Sequence, residues 1–390
     1  MNILTSSTPY AKTNTPKKSR VFSPQGILLT LLSLILLCVI ADGGIGFYFS
    51  NVLLEPTHQT SFTLEATNVS THTITLPHNL DTEQPGTFGL TWPNGQAIVG
   101  GITSETQDTV TRELIETTAP LTEHTMVAWN REIYLGKLKD KLNLETSTVQ
   151  VPAPLGSMPA IYVPGKLDTW VIMVHGRGDA ANSGLRFFPP LVKLGFPVLS
   201  ISYRNDTDAP ASPDGSYHLG DSEWQDLEAG VKYALSHGAR HLVLYGWSMG
   251  GSIIEMFQHH SSYASNVQAL ILDAPVLDWR TTLTFQANNR SLPSIVASTA
   301  EFIATLRTGI NFDHLNQLNQ PQGETPILLF HGTSDTSTPI SVSDTFAKTH
   351  ANIVTYYRVE NTNHVQSWNT DPQKYEAELS AYLIKVLHLG

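Results

Sequence analysis

HLVLYGWSMGGSIIEMF, residues 241–257, decides how the rest of the chain is read. An apolar run of strand length ends at Gly246-Trp247, and a helical pattern begins at Met249, so Ser248 sits in the turn between them. Gly246 and Gly250 place that serine in the G-x-S-x-G pattern of a nucleophile elbow. Small residues on both sides permit the tight, strained turn that lifts a hydroxyl out of the backbone. Gly251 lets the following helix pack closely, and the first helical N–H groups point at the same spot as the hydroxyl.

A serine hydroxyl is a weak nucleophile and needs a base, which in turn needs an orienting carboxylate. Downstream, PILLFHGTSDTSTPI (326–340) offers Asp335 beyond an apolar run, and VTYYRVENTNHVQSW (354–368) offers His364 in a polar loop. Asp273 and Asp278, after the run ALILD, are rival acids. Two N–H donors must also meet the oxyanion of a tetrahedral intermediate. One is the backbone of Met249. The other is expected from HGRGD (175–179), at Arg177, with His175 steadying the loop.

These segments sit at the ends of WVIMVHG, FPVLSISY, HLVLYGW, ALILDAP and PILLFHG, short runs apolar on both faces. Such runs are strands covered by helices, and SEWQDLEAGVKYALSHG (222–238) is one of the intervening amphipathic patterns. The alternation predicts an α/β fold with a doubly wound, mostly parallel sheet over residues 146–390. Residues 276–323 interrupt it with a mostly helical pattern, expected to form a lid over Ser248. Residues 86–145 read as a small β-rich extension, with a hairpin signal at Pro93-Asn94-Gly95.

The amino terminus is different in kind. Lys12, Lys17, Lys18 and Arg20 precede the first acidic residue, Asp42, and GILLTLLSLILLCVIA (26–41) carries no charge. Residues 1–25 are expected to be a cytoplasmic basic tail, 26–54 a signal anchor crossing the membrane as one helix, and 55–85 a linker. The body is then extracytoplasmic. A signal peptide cleaved after Ala41, which releases the body as a secreted protein, is the alternative.

Composition removes other classes. The chain of 390 residues has 23 Lys and Arg against 34 Asp and Glu, a net charge of -11, which does not suit nucleic-acid binding. Cys38 is the single cysteine, so a disulfide framework and a Cys-rich zinc site are excluded. The partners expected are a small acyl substrate and the lipid bilayer.

HGRGD, GWSMGG, HGTSD and NTNHVQSW, in this order and spacing, resemble the α/β-hydrolase superfamily, its serine-aminopeptidase-like and esterase/lipase-like branch, over residues 146–388. The resemblance implies a triad of Ser248, Asp335 and His364, with backbone donors at Met249 and Arg177 and no metal or organic cofactor. It implies a serine hydrolase, with carboxylic esters as the expected substrates. An aminopeptidase or amidase, or an acyltransferase, uses the same scaffold. An aminopeptidase needs an anion for the substrate ammonium, for which Glu223 and Asp278 are the candidates. A non-enzymatic binding module has no use for the full constellation.

Overall fold

The computed structural model describes residues 23–57 and 60–389. The basic tail expected over residues 1–25 therefore lies almost wholly outside the described residues. An apolar helix, α1 (Pro24–Leu54), opens the described chain; Ser23 caps it through its side chain, and Pro24 starts it. Its first four turns are exposed, while Gly46, Ser50, Leu53 and Leu54 are buried against the body.

Residues 64–130 form a seven-stranded antiparallel sheet: β1 (Leu64–Glu65), β2 (Asn68–Val69), β3 (Thr73–Pro77), β4 (Phe88–Trp92), β5 (Gly95–Glu105), β6 (Thr109–Thr117) and β7 (Met126–Asn130). β4 and β5 are the two arms of the hairpin around Pro93-Asn94, with Trp92 opposite Gly95. Three strands thus fall inside the segment expected to be a linker. The short Thr-rich runs there show little apolar periodicity because only Leu64, Ala66, Ile74 and Leu76 turn inward.

The main sheet has eight strands in the order β15-β14-β13-β12-β10-β11-β9-β8. β8 (Ser147–Ala153) and β9 (Gly156–Val163) form an antiparallel hairpin at one edge. β10 (Thr169–Val174), β11 (Val198–Ile201), β12 (His241–Trp247), β13 (Val267–Asp273), β14 (Ile327–Gly332) and β15 (Val354–Val359) are parallel. Alternate residues feed two cores: Ile172, Leu244 and Leu272 on one face, Val171, Tyr245 and Ile271 on the other.

Helices cover both faces: α2 (Phe188–Lys193), α3 (Trp224–Ser236), α4 (Met249–His260), α7 (Ile340–Thr349), α8 (Ser367–Thr370) and α9 (Pro372–Val386). Between β13 and β14 the chain leaves the sheet to form α5 (Trp279–Asn289) and α6 (Ser294–Thr308). This is the α/β-hydrolase fold with a β-rich region before it and a helical insertion.

Arg112 ties the extension together. It is fully buried, and its guanidinium donates to the carbonyls of Gly100, Thr82, Gln84 and Gly86 at 2.7–2.9 Å, with Phe88 and Trp129 on its faces. Burial lowers its pKa to about 10. The loop it holds continues into Thr87, which exchanges hydrogen bonds with Asn369 of the main domain. Arg112→Leu is expected to cost about 3–5 kcal/mol, because four buried carbonyls lose their donor. A lowered thermal midpoint by calorimetry, with the sheet signal of the main domain retained, checks this.

Candidate active site

Ser248 follows β12 directly and precedes the first residue of α4, and its backbone lies at φ 54°, ψ -123°. A non-glycine residue there carries about 1–3 kcal/mol of strain. Three backbone bonds hold it: the Ser248 amide donates to the Asp273 carbonyl, and the Ser248 carbonyl accepts from Gly251 and Val276. At Gly250 a Cβ atom would lie 2.1 Å from the Val174 carbonyl oxygen, so no other residue fits between α4 and β10. Gly246 and Gly251 are packed against Ile254 and Pro275.

His364 lies in the loop between β15 and α8. Its Nε2 is 2.9 Å from Ser248 Oγ, and its Nδ1 is 2.7 Å from Asp335 Oδ2. Asp335 also accepts from the amides of Ser337 and Thr338 and from the Thr338 hydroxyl. Burial alone would raise its pKa, but the His364 and His331 imidazoles and their hydrogen bonds hold it well below the usual carboxylate range. An ionised Asp335 can only accept, so Nδ1 of His364 carries the proton and Nε2 faces the serine O–H. Asp273 is not part of this chain: it is buried beneath the elbow and accepts from the Ser367 hydroxyl.

The loop after β10 comes up beside the serine because Val174 pairs with Gly246. A Cβ on Gly176 would sit 3.0 Å from that of Ser248. Among the described residues, neither the Met249 nor the Arg177 amide has a hydrogen-bond acceptor. Two further residues fix this loop. His175 sets its ring nitrogens against the Gly176 carbonyl and the Asp206 carboxylate, and that carboxylate raises its pKa against the pull of burial. Asp179 accepts from Trp247 Nε1 and from Arg131 of the extension. Sequence reasoning missed Arg131; its signal is a charged pair, Arg131-Glu132, ending the apolar run of β7.

A cavity of about 350 Å³ opens at Ser248 and His364. Its walls are mainly apolar, Val276, Trp279 and Leu283 from the α5 side, Ala297 and Ala300 from α6, and Phe49, Val52 and Leu53 from α1, with Thr282, Gln286, Ser337 and Thr338 among them. No carboxylate lines it among the described residues, whereas Arg131, Arg177 and Arg290 do. Arg177 donates from its side chain to the Val52 carbonyl, closing the end of α1 onto the site. The two candidate anions are engaged elsewhere. Glu223 is buried and accepts from the amides of His218 and Gly220, and Asp278 caps α5 by accepting from Arg280 and Thr281.

Residues 190–389 match the model of the prolyl oligopeptidase family, and residues 65–130 match a domain of unknown function, DUF8805. No curated protein matches the chain. An esterase of Pyrococcus furiosus is 19% identical, covering 64% of this chain and 94% of its own, with a TM-score of 0.52. An alpha-beta hydrolase of Vibrio vulnificus is 20% identical, covering 63% and 86%, with a TM-score of 0.49. At this identity the likeness to the esterase is one of fold.

The helix α4 carries one buried carboxylate that the site does not use. Glu255 is fully buried, with neither carboxylate oxygen in a well-formed hydrogen bond among the described residues, and burial raises its pKa to about 7. The folded state then holds a proton that the unfolded chain releases near its ordinary value, so stability falls as pH rises from about 4.5 to about 7. Glu255→Gln is expected to raise the thermal midpoint at pH 8 and to flatten its dependence over that window, as melting curves across pH will show.

Proposed function

The chain belongs to the prolyl oligopeptidase family and is a serine hydrolase, and from that premise we propose that it cleaves carboxylic esters with apolar acyl groups. The carrying observation is the cavity beside Ser248, whose lining is mainly aliphatic and aromatic and whose charged residues are arginines. An acyl chain fits such a pocket. A free ammonium, which an aminopeptidase must hold, meets repulsion there and no carboxylate.

In this reading Ser248, His364 and Asp335 are the triad. The His364 Nε2 lone pair takes the serine proton as Oγ attacks the acyl carbon, and Asp335 holds the imidazole in the required tautomer and stabilises the imidazolium. The Met249 and Arg177 amides receive the oxyanion, each donor contributing about 3–4 kcal/mol to the transition state. His364 then passes the proton to the departing alcohol, and a water activated by the same imidazole releases the acid and frees the serine. The helices α5 and α6 serve as the lid. Gln286 and Asn289 latch α5 to the acid loop at the carbonyls of Thr336 and Ser337.

The basic, charge-poor amino terminus supports an anchor with the tail in the cytoplasm and the hydrolase body outside. The apolar length of α1 agrees with a membrane span. Cleavage after Ala41 is the competing outcome, and intact mass of the mature protein separates the two.

The test uses the full chain in detergent, since α1 lines the pocket, with p-nitrophenyl esters of increasing chain length beside aminoacyl anilides. Esters are expected to turn over and anilides not. Ser248→Ala is expected to abolish turnover, and Asp335→Asn to lower kcat by about 10³–10⁴, while Asp273→Asn stays within about tenfold of wild type. Turnover of anilides without esters overturns the ester reading.

A further inference from the structure

We infer that the substrate is a lipid ester taken directly from the bilayer, across a wall formed by α1 and α6. This inference rests on the ester reading above and names the source of its substrate.

The last three turns of α1 run alongside α6 in the same direction. Asp42 accepts from the Thr299 hydroxyl, Gly46 sits where a Cβ would fall 2.6 Å from Thr299 Cγ2, and Arg307 donates to Ser50 and Asn51 while lying over the Phe47 ring. The two helices therefore make one plate. Its inner side, Leu53 of α1 with Val296, Ala297 and Ala300 of α6, lines the cavity at Ser248.

Its outer side is apolar as well. Ile295, Phe302 and Leu306, spaced i, i+7 and i+11, form one stripe on α6 and are 61%, 62% and 69% exposed. Phe47 and Tyr48 of α1 are 51% and 61% exposed beside it. Outside these two helices, the large apolar side chains exposed among the described residues are single ones on separate elements: Leu80, Ile115, Met126 and Ile384. Large apolar side chains exposed together on one element mark an interaction surface, and these lie on the helix packed against an exposed apolar helix long enough to span a bilayer. Length supports the same occupant. A helix of 31 residues extends about 46 Å, against about 30 Å for the hydrocarbon core and about 40–45 Å with both headgroup layers. The final turns of α1, and α6 with them, then lie at headgroup depth, and the acyl pocket opens where an ester-linked chain leaves the leaflet.

The experiment uses the full-length protein in phosphatidylcholine vesicles. Two substrates are compared, a fluorogenic long-chain ester embedded in the vesicle and water-soluble p-nitrophenyl acetate. The variant Phe302→Glu/Leu306→Glu changes exposed side chains only. It is expected to lower turnover of the embedded ester by about tenfold or more, as a charge at the interface costs at least about 1.4 kcal/mol, and to leave the soluble ester within about twofold. Equal turnover of the embedded ester by variant and wild type overturns the inference, as does a parallel loss on both substrates, which marks a folding role. Phe302→Trp gives a second readout: brominated lipids are expected to quench it, and an unquenched tryptophan overturns the placement. Loss of Ser248-dependent turnover of the soluble ester by wild type is the separate sign that the ester reading itself fails.

Discussion

The contact between Gly250 and the Val174 carbonyl is the constraint on which the rest of the site depends. It lets α4 start directly on top of β10 and forces Ser248 into a backbone geometry that few residues adopt. The sheet order does the remainder. β10 on one side of β12 delivers the His175–Asp179 loop, and β13, β14 and β15 on the other deliver the floor, the acid and the histidine. A parallel sheet sends all its strand ends to the same edge, so Ser248, Asp335 and His364, spread over 116 positions, meet within hydrogen-bond distance.

The carboxyl end of α1 is the least expected component. Leu53 and Leu54 are members of the main core, and burying each contributes about 1.5–3 kcal/mol. The terminal carbonyls of the helix are also claimed by the body: Tyr217 donates its amide to Leu54, and Arg177 its guanidinium to Val52. The same helix thus supplies an apolar exposed rod at one end and a pocket wall at the other. Arg177 links the two: it lines the cavity together with Ser248, and its side chain donates to the end of the rod.

The extension acts on the site through charge. Arg131 is a half-buried cation at the cavity wall, and a cation drawn out of water is held best when paired. Asp179 and Glu132 supply the pairing, and Asp179 at the same time holds Trp247, the residue before Ser248. Asn369 bridges the carbonyls of Thr87 and Arg131 from just beyond the His364 loop. The antiparallel sheet is thereby clamped to the serine and histidine segments together.

The main sheet and the strand–turn–helix around Ser248 were legible in the amino-acid order alone, as was the choice of Asp335 and His364 as its candidate partners. Those features are local: a strand run, a turn that tolerates only small neighbours, and a polar loop each leave a mark within a few residues. It could rank Asp335 above Asp273 but not place them. Only the folded chain puts one carboxylate on the imidazole and the other under Ser367. The strands between residues 64 and 77 escaped notice because they bury four apolar side chains among threonines. Arg131 and the end of α1 escaped for a different reason. A wall of the pocket built from residue 53 and another from residue 300 has no spacing in the sequence, since burial of apolar surface is indifferent to how far apart its contributors lie along the chain.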